Sequence, residues 1–424
     1  MQEDFLHYVW KYQKIEGSSL KTTQYEDLEI IQVGQHNDNA GPDFFNAQLR
    51  IGTQHWAGNV EIHVKSSDWF VHNHELDSAY DNVILHVVYE HDTDIFRKDN
   101  TAIPTLELKH IIKQEVMLNY EKLFSKKKKW INCENDLHVI NDFTYQNWIE
   151  RLYIERLERK SELVNELLQK TKHNWEAVLF QLLAKNFGLN INGDVFFSMA
   201  QSIDFSVIRK SQTKIELLEA LFYGQLGLLE IDIENAYHLQ LKNDYKFLVQ
   251  KFNLTQTSNL PVQFFRLRPS NFPTIRLSQF AALYHKELNL FSKIIEIRSI
   301  KDYYKLFKVC ASDFWNTHYT FEKISKKTTK YITKPFIDLL LINTVLPIKF
   351  LYEKQRGNEH INEDILRLAG SISSESNSVV NAFNELKKVS HSALTSQALL
   401  QLKSNYCDKN KCLQCAIGNA IIIK

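Results

Sequence analysis

The amino-acid sequence predicts an α+β fold: a small mixed β-sheet flanked by helices, in the order αβββαβ, followed by a large all-α domain. Three observations carry this. The first ~110 residues hold short alternating or continuously apolar runs of strand length. From Phe143 onward, apolar residues recur at helical spacing almost without interruption. The 424 residues contain only 12 Gly and 7 Pro, few for an all-β sandwich and in keeping with a helix-rich whole.

Taken in order, Asp4 to Tyr12 is apolar at helical spacing, Leu28 to Val33 is a short apolar strand, and Asp43 to Ile51 alternates. Trp56 to Val64 follows a Gly-bounded turn and places Glu61, His63 and Lys65 on one face of a strand, with Val60, Ile62 and Val64 on the other. Asp68 to Tyr80 reads as a short helix or structured loop. Val83 to Tyr89 is a nearly continuous apolar run, the mark of a strand covered on both faces. Ile103 to Leu108 adds an edge strand. The division that results is 1–112 for the sheet domain, 113–142 for a basic linker, and 143–424 for a helical domain that ends in a cysteine cluster. In the linker, Lys126 to Lys129 precede Trp130; they read either as a solvated turn or as a phosphate contact with an aromatic ring ready to stack. Helices are expected over Tyr145 to Lys172, Trp175 to Phe187, Lys214 to Leu229, Leu277 to Ile297, Pro335 to Tyr352 and Ser378 to Leu402.

A formal charge of +1 excludes a globally basic nucleic-acid coat protein and leaves room for local basic faces. The acidic start, MQEDF, does not read as a signal peptide, and the most apolar long segment, Phe336 to Leu351, carries Asp338, Asn343, Pro347 and Lys349 and is expected not to span a bilayer. A cytoplasmic protein with no membrane association is expected, and its five Cys are expected to be reduced. Eight of the 16 His fall between Met1 and His91, which draws attention to the sheet.

A strand that presents an acid, an imidazole and an amine in file is a poor choice for packing alone. Phosphodiester hydrolysis needs carboxylates to hold a cation and positive charge where the phosphorane builds up. Asp43, Glu61 and Lys65 supply these, with His63 between them as ligand or spectator. Read as packing, Gly-Pro-Asp is a turn and Glu61 with Lys65 a cross-strand salt bridge. His72, His74, Asp77 and His86 form a second polar set, which lines the same cleft or supplies a His-x-His metal pair.

With Pro42 and Asp43 ahead of one strand and Lys65 ending the next, the chain resembles the PD-(D/E)xK nuclease superfamily, which has the restriction-endonuclease-like αβββαβ core. The resemblance implies that Asp43 and Glu61, with His63, bind a divalent metal (magnesium or manganese) and that Lys65 stabilises developing charge. The departure is His63, which stands where an acid is usual; an imidazole ligand shifts preference towards manganese or zinc. Over its whole length the chain also resembles a bacterial domain-of-unknown-function family, number 2851, on the segments GPDFFNA, GNVEIHVKSSDW with the following HNH, YDNVILHVV, LRPSNFPTIRLSQFA and the Cys-rich tail.

In that tail, Cys407, Cys412 and Cys415 follow a C-x4-C-x2-C spacing, and Cys133 offers a fourth thiol. Four thiolates close a structural zinc or iron–sulfur site, in an arrangement similar to nucleases whose cluster ties a C-terminal cysteine group to an upstream one; unpaired reduced thiols are the plainer reading. Cys310 reads as core. Arg266, Arg268 and Arg276 surround Pro269 and Pro273 on a turn that feeds a helix starting near Arg276, and suit phosphate contact or ion pairing between helices. The leading expectation is a metal-dependent nuclease acting on nucleic acid, DNA first. The alternatives are a catalytically degenerate nucleic-acid-binding or interaction module on the same scaffold, and a His/Glu metal enzyme acting on small molecules.

Overall fold

The structure, a computed structural model, describes residues 2–17, 19–125, 129–255 and 261–424. The chain divides into two compact units: residues 1–148 with 403–424, and residues 149–402. The cysteine tail, which the sequence places with the helical domain, therefore groups with the sheet.

In the first unit, helix α1 (Glu3–Lys11) buries Phe5, Leu6, Val9 and Trp10 and leads into a seven-stranded sheet. The strands are β1 (Leu20–Lys21), β2 (Asp27–Gln32), β3 (Gln35–His36), β4 (Phe44–Ile51), β5 (Gln54–Lys65), β6 (Val83–Glu90) and β7 (Thr105–Glu107). Their order is β1-β2-β4-β5-β6-β7, with β3 also on β4. β2, β4 and β5 pair antiparallel, whereas β5–β6 and β6–β7 are parallel. The sheet is thus mixed, as expected, and larger than expected by the two-residue strands β1 and β3.

A parallel neighbour requires a crossover, and here it is short: helix α2 (Asp68–Val71) and the 3-10 turns His74–Leu76 and Ser78–Tyr80. β5 and β6 lie at the centre of the sheet, and both faces of their paired segment are buried. This is why Val83–Val88 is apolar apart from His86. Gly58 permits the closeness: a Cβ there would stand 2.5 Å from Ile84 Cγ2 and 2.7 Å from the Asn82 carbonyl oxygen. The linker of the sequence reading contains a helix, α3 (Gln114–Leu123), against which the last helix (Ala416–Ile423) packs. Of the four consecutive lysines, 126–128 lie outside the described residues; Lys129 donates to the carbonyls of Lys122 and Asn132.

The second unit is helical. The long helix α4 (Asp142–Lys170) enters it, and Phe180, Phe187, Phe222, Phe280 and Tyr284 interlock at its centre. Two expected single helices are broken: Leu277–Ile297 is Pro273–Lys286 plus Leu290–Glu296, and Ser378–Leu402 is Ser378–Leu386 plus Ala393–Leu402. The helix expected near Arg276 begins three residues earlier, with Pro273 in its first turn, where a missing N–H costs nothing. Lys160 is half-buried within this unit and donates to the Ile342 carbonyl at 3.2 Å and to Asn343 at 2.9 Å, at a π-helical turn over Leu341–Val345. That turn lies in the Lys334–Gln355 stretch, the one helix among the described residues long and apolar enough to cross a membrane; 72% of its most apolar window is buried inside the protein.

Candidate metal centre

Two elements deliver the site: the middle of β5 and the crossover after it. Alternation along β5 puts Glu61 and His63 on one face. They are 4% and 1% exposed. A β-bulge between Phe44 and Ala47, with Asn46 in the left-handed region (φ 57°), sits where β4 begins; bulges of this kind re-aim a strand's side chains. Asp43 here faces β5 twice over: its backbone N–H donates to Glu61 Oε2 at 3.1 Å, and its carboxylate accepts the Ile62 N–H at 2.9 Å.

The crossover supplies imidazoles. Trp69 of α2 is buried and contacts the edges of His74 and His86. Asn73, left-handed at φ 60°, reverses the chain between His72 and His74 so that both rings turn back to β5. Ring nitrogens of His63, His72 and His74 lie within 4.8 Å of one another. His63 Nε2 is 3.1 Å from His72 Nδ1 and 3.5 Å from Glu61 Oε1, and His74 Nε2 is 3.3 Å from the same oxygen. Behind them, His63 Nδ1 meets His86 Nε2 at 2.8 Å on β6, the outer hydrogen bond that a ligating imidazole commonly keeps. The ring of His74 stacks on Tyr80, with centroids 3.7 Å apart.

Burial governs the protonation of this set. It drives His63 down to about 3 and His86 well below its usual value, and both feel neighbouring imidazoles in the same direction. His74 is lowered, again first by burial. The Glu61 carboxyl is pushed up to about 9 by burial and by the nearby Asp43 charge. The lowered imidazoles of His63 and His74 therefore face a carboxyl group reluctant to ionise. His63, His72 and His74, with Glu61 beside two of them, could hold a divalent cation, and imidazole donors suit zinc, manganese or iron better than magnesium. The His72 side is exposed, where exchangeable ligands would enter.

A second chain of groups reaches the site through Asp43. His7 Nε2 lies 3.3 Å from Asp43 Oδ2, His36 Nε2 lies 3.4 Å from His7 Nδ1, and Asp38 lies 3.3 Å from His36 Nδ1. Burial works against a charge on His7, but Asp43 outweighs it and holds the imidazole above its usual range. Burial leaves His36 below its own. Glu3, one turn before His7 on α1, has its carboxyl raised by burial and then by Asp43. Sequence reasoning missed Glu3, His7 and His36; the Glu3–His7 spacing of four, one face of a helix, was the available signal.

The other predicted residues are placed as follows. Asp43, Glu61, His63, His72, His74 and His86 come together. Asp77 accepts the Ala79 N–H at 2.9 Å and caps the Ser78–Tyr80 turn. Lys65 is exposed at the end of β5; its N–H donates to Asp68, and its ammonium has no hydrogen bond or ion pair among the described residues. Arg266 and Arg268 are exposed in the helical unit. Arg276 is 5% exposed, donates to Asn271 and Gln279, and lies over the Phe336 ring at 3.6 Å. Burial lowers its pKa to about 10. The helical unit also has a cavity of about 610 Å³ lined by Glu219, Tyr237, Lys286 and Ser312.

Residues 3–378 match the family model DUF2851, described as a protein of unknown function, and the chain belongs to that family. No curated protein and no solved structure matches the chain.

Proposed function

We propose that the sheet-bearing unit is a metal-dependent phosphodiesterase, a nuclease-like hydrolase acting on nucleic acid, with Glu61, His63, His72 and His74 holding one divalent cation. The single observation that carries the reading is the convergence of those four side chains on β5 and the crossover beside it, with Asp43 hydrogen-bonded into the same point. The element order supports it as well. One helix, three antiparallel strands, a helical crossover and a parallel strand is the arrangement of restriction-endonuclease-like cores, with an acid entering one strand and an E-x-H-x-K row on the next.

A cation in this position would supply Lewis acidity to a phosphoryl oxygen and make an attacking water acidic. The protein's own groups do the rest. Asp43 orients Glu61 through its backbone N–H, and the His7–His36 chain links Asp43 to Asp38. His86 fixes the His63 tautomer. Lys65, two residues beyond His63, brings a mobile positive charge to the same strand end for a developing phosphorane.

The test is cleavage of single- and double-stranded DNA by the purified protein with Mn²⁺, Zn²⁺ or Mg²⁺. Metal-dependent cleavage that is abolished by Asp43→Ala and weakened at least tenfold by Lys65→Ala supports the reading, and equal cleavage by wild type and the double variant removes it. The imidazole triad also favours a second reading, a His/Glu metal enzyme on small molecules. Hydrolysis of a small phosphodiester with no action on, or affinity for, DNA selects it.

A further inference from the structure

Four of the five cysteines, Cys133, Cys407, Cys412 and Cys415, have no place in the proposed hydrolysis. Cys407, Cys412 and Cys415 lie in the returning tail, and Cys133 sits in the turn after α3, within the same compact unit. The fold gathers them. Asn132 and Cys412 are 280 residues apart in sequence, yet the Asn132 amide donates to Cys412 Sγ at 3.4 Å. The same amide reaches Asn410 Oδ1 at 3.3 Å. Cys407 is within electrostatic reach of Cys133, Cys412 and Cys415, and Cys133 of Cys412 and Cys415.

The local backbone has the form of a thiolate knuckle. The Cys415 N–H donates to the Cys412 carbonyl at 3.2 Å across a 3-10 turn. Cys415 then stands at the N-cap of the final helix. Gly418 is required: a Cβ there would stand 2.1 Å from the Cys412 carbonyl oxygen. Burial raises all four thiols above their usual range, while Lys129 and Lys403 place positive charge near Cys412 and Cys407. Four thiolates around a dication carry net negative charge, which these lysines offset. None of the four thiols is in a disulfide.

We infer that Cys133, Cys407, Cys412 and Cys415 form a four-thiolate site for a thiophilic metal centre, zinc or an iron–sulfur cluster, that ties residues 403–424 to the sheet-bearing unit. Its role is structural: the four protein ligands leave no position for substrate. The site is independent of the histidine centre.

The test is metal and sulfide analysis with visible absorption, on protein purified without oxygen. About one zinc per chain that the His72→Ala, His74→Ala pair retains, with no visible band, or iron with matching sulfide and a broad visible band, supports the site and says which centre fills it. Cys133→Ser and Cys412→Ser each drop that metal at least tenfold, whereas Cys310→Ser and the His72→Ala, His74→Ala pair retain it. Should the cysteine variants fail to fold, the wild type decides. Titration with an organomercurial releases the metal as about four thiols react, and protease then removes the tail. Wild type with neither zinc nor iron, or metal kept by Cys133→Ser or through complete thiol blockage, overturns the inference.

Discussion

Glu61 offers a quantitative handle on the metal centre, because burial and Asp43 hold its carboxyl at about 9 while the imidazoles of His63 and His74 lie against it. A cation can bind only to the carboxylate. Near neutral pH almost every metal-free molecule carries the Glu61 proton, so binding one Mn²⁺ or Zn²⁺ expels about one proton. His63, held near 3, is already deprotonated and contributes none. Titration calorimetry reads this directly: the apparent binding enthalpy at about pH 7.5 differs between two buffers by about one full difference of their ionisation enthalpies. Raising the pH through about 9 should halve the release. Glu61→Gln, of nearly the same shape, should bind more weakly and release almost nothing. Equal heats in the two buffers for wild type, or unchanged proton release in Glu61→Gln, would refute the argument.

Stability of the metal-free protein should depend on pH with a worked sign. A carboxyl whose pKa rises on folding stabilises below its ordinary value near 4.5, and that contribution is lost as pH climbs through about 9. Urea midpoints of Glu61→Gln should therefore fall less over this interval than those of wild type. For His63, lowered on folding, stability is present above 6.5 and lost as pH falls towards about 3; His63→Gln should flatten that acid limb. Trp69→Ala, which removes a ring buried against His74 and His86, should cost about 3–5 kcal/mol in urea denaturation. Replacing His63 by Asp restores an all-oxygen row beside Lys65, and competition titrations should show preference moving from Zn²⁺ towards Mg²⁺.

Period-two alternation made β4 and β5 legible, and a nearly continuous apolar run β6, each to within two residues at either end, because each buries at least one continuous apolar face. It likewise put Glu61 and His63 on one side of β5. What periodicity cannot show is contact between distant segments. The closing of His72 and His74 onto β5 depends on a left-handed Asn73, a conformation that Asn tolerates without announcing it. His7 was hidden inside an amphipathic helix whose apolar residues explained its pattern without it. Arg276 looked like an anion contact because two prolines flank it, but the helix that Pro273 starts carries it inward against Phe336. The helix breaks near Glu287–Asn289 and Lys387–Ser392 carry neither Pro nor Gly, the usual punctuation. The tail joins the sheet-bearing unit through contacts made some three hundred residues away, such as Asn119 donating to the Ile422 carbonyl at 3.3 Å.

Pulsed electron paramagnetic resonance of the Mn²⁺-loaded protein tests the centre most directly, since manganese does not favour the thiols of the tail. Nitrogen couplings from directly bound imidazole, diminished in His72→Ala and again in the His72→Ala, His74→Ala pair, are the expected result. Manganese that binds with oxygen ligands alone, or couplings untouched by those substitutions, would contradict it.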